Sequence, residues 1–496
     1  MSRRWPTARA VLGAVLAGVV VAGCTGPAPD DEAPDPAPTG APTGGTPGTD
    51  ATDGDAWSAL QPDADGVAVG EPGPQLLGLG AKWQWGRADT YEPWLAQTGR
   101  VPSFVEAVWC ELEPEEGRRD LARVERVMRR AQALDVDLLV KIRVGSCWAT
   151  AGSAEHVRGA GKTESDPPAD VAAYENFVTE LVEAGAGLGV TSWAVENEVN
   201  APAFWSGTAA EYEEHARTTA AAVRAADPTA RVLDSGLSSV AHGYGVVAHA
   251  LETGGPQAGV AAWNAYYAAR IGTRGTLPRV GDAAELEAVL AGEPAQVSLA
   301  QWEVASRLAA DGVLDARQVH FYEPQEQLGP LFAALRASTP ASVPLEVWEL
   351  GDFWRDGEGV EPAADERDAD LLRASATVLA EGSPVAVWLP LAVNPDGRNA
   401  DEPRWGLVGP DGSDRGATEA YLRLSRAAPG ARAVPFVVGD VRGTALVGAS
   451  GTTAVAWSTG APQPTAAGVD GPGEVGTTPV VLGVDGGVEE LVEALR

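Results

Sequence analysis

Along this chain, short apolar runs alternate with longer stretches whose apolar residues recur every three or four positions. The runs cover residues 75–85, 103–109, 136–144, 190–195, 231–237, 318–322, 345–350 and 385–389. Residues 121–134, 171–185 and 209–226 carry the period of an amphipathic helix, and Asp227-Pro228 stops the last of them. Strand candidates that alternate with helical stretches, eight in all, predict an α/β fold, a (β/α)8 TIM barrel over residues 71–426. In such a barrel, chemistry gathers at the C-terminal strand ends. The connection between the fifth and sixth runs, residues 238–317, is long and reads as helical at 283–291 and 299–310. Its aromatic cluster Trp263, Tyr266 and Tyr267 either shapes a cleft or packs away from any ligand. Beyond residue 426 the runs shorten to 433–438, 444–447, 453–457 and 480–482 between Gly, Asp and Pro turns, which predicts a small β-sandwich domain over 427–496.

The N-terminal residues stand apart from this pattern. Arg3 and Arg4 precede a short apolar stretch, and Val21-Ala22-Gly23 leads into Cys24. The stretch is too short to span a bilayer and reads as a signal peptide over 1–23. Small residues before a cysteine resemble the bacterial lipobox, which implies lipidation of Cys24 and an extracytoplasmic protein held to the membrane. The other reading is an ordinary secretory signal with an incidental cysteine. Residues 24–70 are rich in Pro, Gly, Thr and Asp and are expected to form a disordered tether.

Net charge is −33, from 69 acidic and 36 basic residues, which argues against nucleic acid as a partner. Cys110 and Cys147 follow the second and third strands. Neighbouring strands lie about 4.8 Å apart, within disulfide reach. In an exported protein these two cysteines are expected to pair, with two buried thiols as the alternative. No Cys/His cluster suggests a metal, and no cofactor is expected.

Two carboxylates fall at predicted strand ends, Glu198 after the fourth strand and Glu349 in the seventh. Paired carboxylates of this kind are what cleavage of an acetal requires. The surrounding residues resemble clan A of the glycoside hydrolases over residues 76–424. Trp193-Ala194-Val195-Glu196-Asn197-Glu198 is similar to the clan's fourth-strand motif, and Phe204-Trp205-Ser206-Gly207-Thr208 to the segment C-terminal to that motif. Val319-His320-Phe321-Tyr322 resembles the sixth-strand motif, Trp348-Glu349-Leu350-Gly351 the seventh, and Trp388 the eighth-strand tryptophan. Trp109 through Glu113-Pro114 is similar to the end of the second strand.

The resemblance implies a retaining hydrolase of β-glycosidic bonds with a carbohydrate substrate and no cofactor. Glu198 would be the acid/base, which must carry a proton to donate, and Glu349 the ionised nucleophile. Asn197, His320, Tyr322, Trp388, Trp83, Trp109, Trp205 and Lys82 would line the substrate. The protein is expected to be a monomer.

Two departures matter. Glu196 and Val199 flank the motif where many members have Trp and Pro, and the usual arginine near the second strand is missing. Lys82, Lys141 or Arg143 is expected to supply that charge, although a Lys141–carboxylate pair in the barrel core reads equally well. These departures keep open an inactive glycan-binding lipoprotein. The signal and the acidic charge also suit an importer's solute-binding lipoprotein, which would require two lobes.

Overall fold

The computed structural model describes residues 55–152, 164–271, 277–352, 354–355, 360, 362–391, 406–409 and 411–496. The signal peptide, Cys24 and the first part of the tether lie outside the described residues. Eight parallel strands form the centre: β1 (Gly78–Ala81), β2 (Val101–Val108), β3 (Val136–Arg143), β4 (Ser192–Val195), β5 (Arg231–Leu233), β6 (Arg317–Phe321), β7 (Leu345–Leu350) and β8 (Val385–Trp388). Each lies within or overlaps an apolar run read from the sequence.

The strands form two four-stranded parallel ladders, β2-β3-β4-β5 and β6-β7-β8-β1. Parallel bridges Leu233↔Ala316 and Leu237↔Val319 join β5 to β6. On the other side no ladder links β1 to β2 among the described residues. There Ser103 Oγ donates to the Ala81 carbonyl at 2.9 Å. Gly80 also approaches Pro102 so closely that a Cβ would sit 1.9 Å from its carbonyl oxygen, so only glycine fits. The architecture is of the TIM-barrel type.

Alternate residues along the strands point inward. Phe104, Leu139, Ala194, Leu233, Ala316, Trp348, Val385 and Val387 form one buried interior cluster. Their neighbours Val140, Trp193, Val232, Val319 and Val347 face outward and join the main core with the surrounding helices. Helix Ala209–Ala226 shows why these helices start where they do. Thr208 accepts from the Glu211 amide, and Glu211 in turn accepts from Thr208, so two orphan donors of the first turn are satisfied.

The insertion between β5 and β6 contains Ser239–Tyr266, broken at Gly255, then Ala283–Leu290 and Glu293–Ala310. Its aromatic residues pack among themselves. Tyr266 and Tyr267 donate to the Ser239 and Val240 carbonyls at 2.9 and 2.7 Å, and Trp263 donates to Pro278. The cluster holds the insertion together and offers no open ring face.

The C-terminal part departs from the expected β-sandwich. It is one five-stranded antiparallel sheet made of Val67–Val69, Arg432–Val438, Val441–Gly448, Gly451–Ser458 and Val480–Val484, beside a separate two-stranded ribbon. Both faces of the sheet are apolar because helices cover both. Val434, Phe436, Ala445 and Leu482 pack with Leu491 and Val492 of helix Val488–Ala494. The opposite face carries Leu446, Val455 and Val481, which join the main core. On that side Thr444 bonds Ala376 of helix Ala364–Ala380 at 2.9 Å. The expected tether also ends earlier than its composition implies. Val67–Val69 is an edge strand, and Trp57 packs edge-on to Trp457 while donating to Gly443 at 2.7 Å. Its turn-forming Asp63 and Gly66 look like linker in sequence, yet they fold this segment onto the sheet.

Candidate active site

Strand β4 ends at Val195, and the chain then leaves regular geometry. Glu196 has φ 68° and Glu198 φ 43°, left-handed conformations that cost a non-glycine residue about 1–2 kcal/mol each. The turn lifts Asn197 and Glu198 above the barrel mouth. Strand β7 reaches the same place by a different irregularity. Against β6, Val347 pairs with Val319 and Glu349 with His320, so Trp348 is an extra residue. This one-residue bulge lets Trp348 fill the interior while Glu349, next in sequence, also faces inward.

The two carboxylates thereby meet. One oxygen of Glu198, one of Glu349 and a ring nitrogen of His320 all lie within 4.8 Å of one another. His320 Nδ1 is 3.2 Å from Glu198 Oε1, and its Nε2 is 3.0 Å from Gln318 Oε1. Lys141, fully buried, donates to Glu349 Oε1 at 2.5 Å and to Asn197 Oδ1 at 2.8 Å. Tyr322 Oη donates to the other Glu349 oxygen at 2.5 Å. Burial pushes the Glu349 carboxyl up. The charges of His320 and Lys141, with the hydrogen bonds from Lys141 and Tyr322, outweigh it and hold the group at about 2. Among the described residues, Glu198, His320 and Glu349 are the one His/Cys/Asp/Glu group close enough to share a cation. The Lys141 ammonium already lies against Glu349 there.

No family model and no curated protein matches the sequence. Solved structures do. A family 39 glycoside hydrolase from the gut symbiont Bacteroides cellulosilyticus WH2 aligns with TM-score 0.50 at 14% identity, over 83% of this chain and 81% of that one. A monomeric beta-xylosidase from Caulobacter crescentus CB15 aligns with TM-score 0.51 at 14% identity, over 79% and 76%. The fold is that of glycoside hydrolases.

Within that fold the other expected site residues divide. Asn197, His320 and Tyr322 join the carboxylates. Lys82 lies close by but does not hold Glu349. It donates to the Phe104 carbonyl at 2.7 Å and sits 3.9 Å from the Phe104 ring centre. The same ring carries Lys141 at 4.3 Å, a role for Phe104 that no sequence signal announces. Trp388, at the end of β8, lines a cavity of about 300 Å³ together with Asp352, Arg367, Leu371 and Arg415.

Three tryptophans expected against substrate are instead packed inside. Trp109 is buried among Trp148, Tyr174 and Phe177 and donates to Glu113 Oε2 at 2.9 Å. Trp205 stacks on His215 with its centroid 5.4 Å away. Trp83 lies buried beneath the half-buried Trp85 at 4.8 Å. Their strand-end positions were legible, but a large ring there was as able to cover the barrel wall as to face a cleft. Cys110 and Cys147 are joined by a disulfide with Cα atoms 5.4 Å apart. The bond ties the loop after β3 to the end of β2. Glu346 is bonded by Arg231 and Trp348, clear of Glu349.

Proposed function

We propose that the chain is a retaining glycoside hydrolase that cleaves β-glycosidic bonds in an extracellular glycan or glycoside. The observation that carries this reading is the pair Glu198 and Glu349, close together but held unequally. Retaining enzymes place their carboxyl groups about 5–5.5 Å apart, and inverting ones about 6.5–9.5 Å to admit a water. A closest approach within 4.8 Å favours the first.

Glu349, kept ionised by Lys141 and Tyr322, attacks the anomeric carbon. Glu198 gives its proton to the departing oxygen as the C–O bond breaks. Water then attacks the glycosyl-enzyme ester, Glu198 takes the water's proton, and Glu349 leaves with its charge restored. Asn197, whose Oδ1 accepts from Lys141, keeps its amide N–H groups for the sugar 2-hydroxyl.

Lys141 also answers the argument for an inactive binder, since it supplies the cation that the missing arginine would have given. A two-lobed importer protein does not suit eight parallel strands around one core. The ring is read as a (β/α)8 barrel whose ladder lapses between β1 and β2. We further read the N-terminus as an exported signal with lipid at Cys24, and the protein as a monomer. The sequence around Cys24 supports the anchor.

The test is hydrolysis of a panel of β-xylosides, β-glucosides, β-mannosides, β-galactosides and their polymers, with the product anomer resolved. The β-anomer at first release and an azide-rescued Glu349→Ala variant giving the α-glycosyl azide are expected. Release of the α-anomer would overturn retention, and no cleavage anywhere in the panel would overturn the enzyme reading.

A further inference from the structure

Glu196 departs from the motif it sits in, and the structure shows it engaged away from the reacting carboxylates. It is fully buried, and its left-handed backbone turns its side chain away from the barrel mouth. There the Val144 amide donates to Oε1 at 2.7 Å, and Arg143 Nε lies 3.5 Å from Oε2. Arg143 shares the inner face of β3 with Lys141 and is itself held between Glu196 and Glu106, the latter at 3.1 Å. One strand thus carries two cations, one for Glu349 and one for the turn that presents Glu198.

We propose that Glu196 is a positioning residue whose ionised carboxylate, clamped by Arg143 and the Val144 amide, holds the left-handed turn that presents Asn197 and Glu198. This rests on the glycosidase reading. Lys141 and His320 also hold the Asn197 and Glu198 side chains. The turn's amides reach the Ile142 carbonyl from Glu196 at 2.9 Å and the Ser235 carbonyl from Glu198 at 3.3 Å. Two left-handed residues in three positions store strain that these bonds must offset.

The clamp is also sensitive to protonation. The titratable and charged groups around Glu196 are Arg143 on β3, Glu106 behind it on β2, and His215 and Tyr212 on helix Ala209–Ala226. Tyr174 stands on helix Val171–Ala186, and Glu164 and Asp166 flank Ser165, whose hydroxyl accepts from the Gly145 amide at 3.0 Å. His215 lies 3.8 Å away, and burial pushes it down to about 3, so it stays neutral. Burial drives Glu196 up to about 7 against the pull of Arg143 and its hydrogen bonds. The anchor therefore loses its charge as pH falls through neutrality, when the Arg143 attraction weakens.

The test compares wild type, Glu196→Gln and Ser165→Ala on whichever aryl β-glycoside the wild type cleaves best, from pH 5 to 9. Glutamine keeps the shape and the Val144 bond but no charge. The ratio of wild-type kcat to that of Glu196→Gln, in which pH effects shared by both cancel, should climb through about pH 7 to about ten-fold at pH 8, with KM within about two-fold. Ser165→Ala removes a hydroxyl that favours the ionised Glu196 carboxyl and should move that climb to higher pH. This keeps the test open where Glu196→Gln, checked by circular dichroism, does not fold. Cleavage by wild type with an unchanged profile in the variants overturns this proposal alone. No cleavage by wild type overturns the glycosidase reading and this proposal with it.

Discussion

Replacing Lys141 with methionine removes the ammonium while keeping the length of the side chain. In the structure that ammonium touches Glu349, Asn197 and His320 at 2.5, 2.8 and 3.3 Å, with Phe104 beneath it. Glu349 sits at about 2 against an ordinary value of 4.5, a depressed carboxyl. A depressed carboxyl contributes stability that is present above the unfolded value and lost as pH falls from about 4.5 towards 2. The gap is worth on the order of 3 kcal/mol. An opposite charge in contact accounts for roughly 1–3 pH units of such a shift, so in Lys141→Met the carboxyl should titrate between about 3 and 5. The acid limb of kcat/KM should move up by the same amount.

At pH 7 Glu349 stays largely ionised, and the loss there comes from placement. With Asn197 and Glu349 no longer tied to one group, kcat should fall about 100-fold. Leaving a buried carboxylate without its cation should also cost about 3–5 kcal/mol in urea unfolding at neutral pH. That difference from wild type should shrink as pH falls towards 3. An acid limb that stays near 2 in the variant, with an unchanged urea midpoint, would refute the view that Lys141 holds Glu349 ionised.

The same geometry makes three other substitutions informative. Tyr322→Phe deletes one of the two hydrogen bonds to Glu349 and should lower kcat by about ten-fold or more, a bond to a charged group being worth about 1.5–3 kcal/mol; steady-state kinetics at pH 7 measures it. Reducing the Cys110–Cys147 bond, or replacing both cysteines with serine, frees the loop after β3 and should cost about 2–4 kcal/mol in denaturant titration. An unchanged midpoint would count against a structural role for the bond. Trp109→Ala should destabilise by about 3–5 kcal/mol through the cavity it leaves, while KM of the surviving folded enzyme stays near wild type. A KM rise without loss of stability would return Trp109 to the substrate side.

The barrel was legible because its signal is repeated. Each of eight strands carries an apolar run, and each mistake at one boundary is checked by the next element. Glu198 and Glu349 were legible for a different reason, since an acidic residue at the end of an apolar run is conspicuous. Their supporting cast was harder to see. Lys141 stood in the sequence as one of three candidate cations, and because Arg143 shares the inner face of β3, only the contacts select it: Lys141 meets Glu349 where Arg143 meets Glu196. Trp109 and Trp205 occupy strand-end positions that suit either a cleft or a wall, and side-chain direction past the last strand residue has no period to read. The C-terminal sheet misled for a related reason. Its alternating apolar residues predict a buried face, but one face is covered by helix Ala364–Ala380, distant in sequence from the strands of 432–484, and the other by helix Val488–Ala494.

Both carboxylates stand where strand regularity fails, and the reason is geometric. A regular strand sends consecutive residues to opposite faces, so β7 could place Glu346 and Trp348 inside only by sending Glu349 outward to the helices. The extra residue at Trp348 breaks that parity, and the interior keeps both its bulk and its carboxylate. On β4 the alternation would carry Glu196 to the same face as Glu198, crowding two carboxylates at one mouth. The left-handed turn separates them, sending Glu196 to Arg143 and Glu198 to His320. The parallel ladder supplies a rigid frame, and its two local violations decide which acid faces Lys141 and which faces the open mouth. A change that restored strand parity at Trp348 would therefore remove Glu349 from the site without touching a single one of its partners.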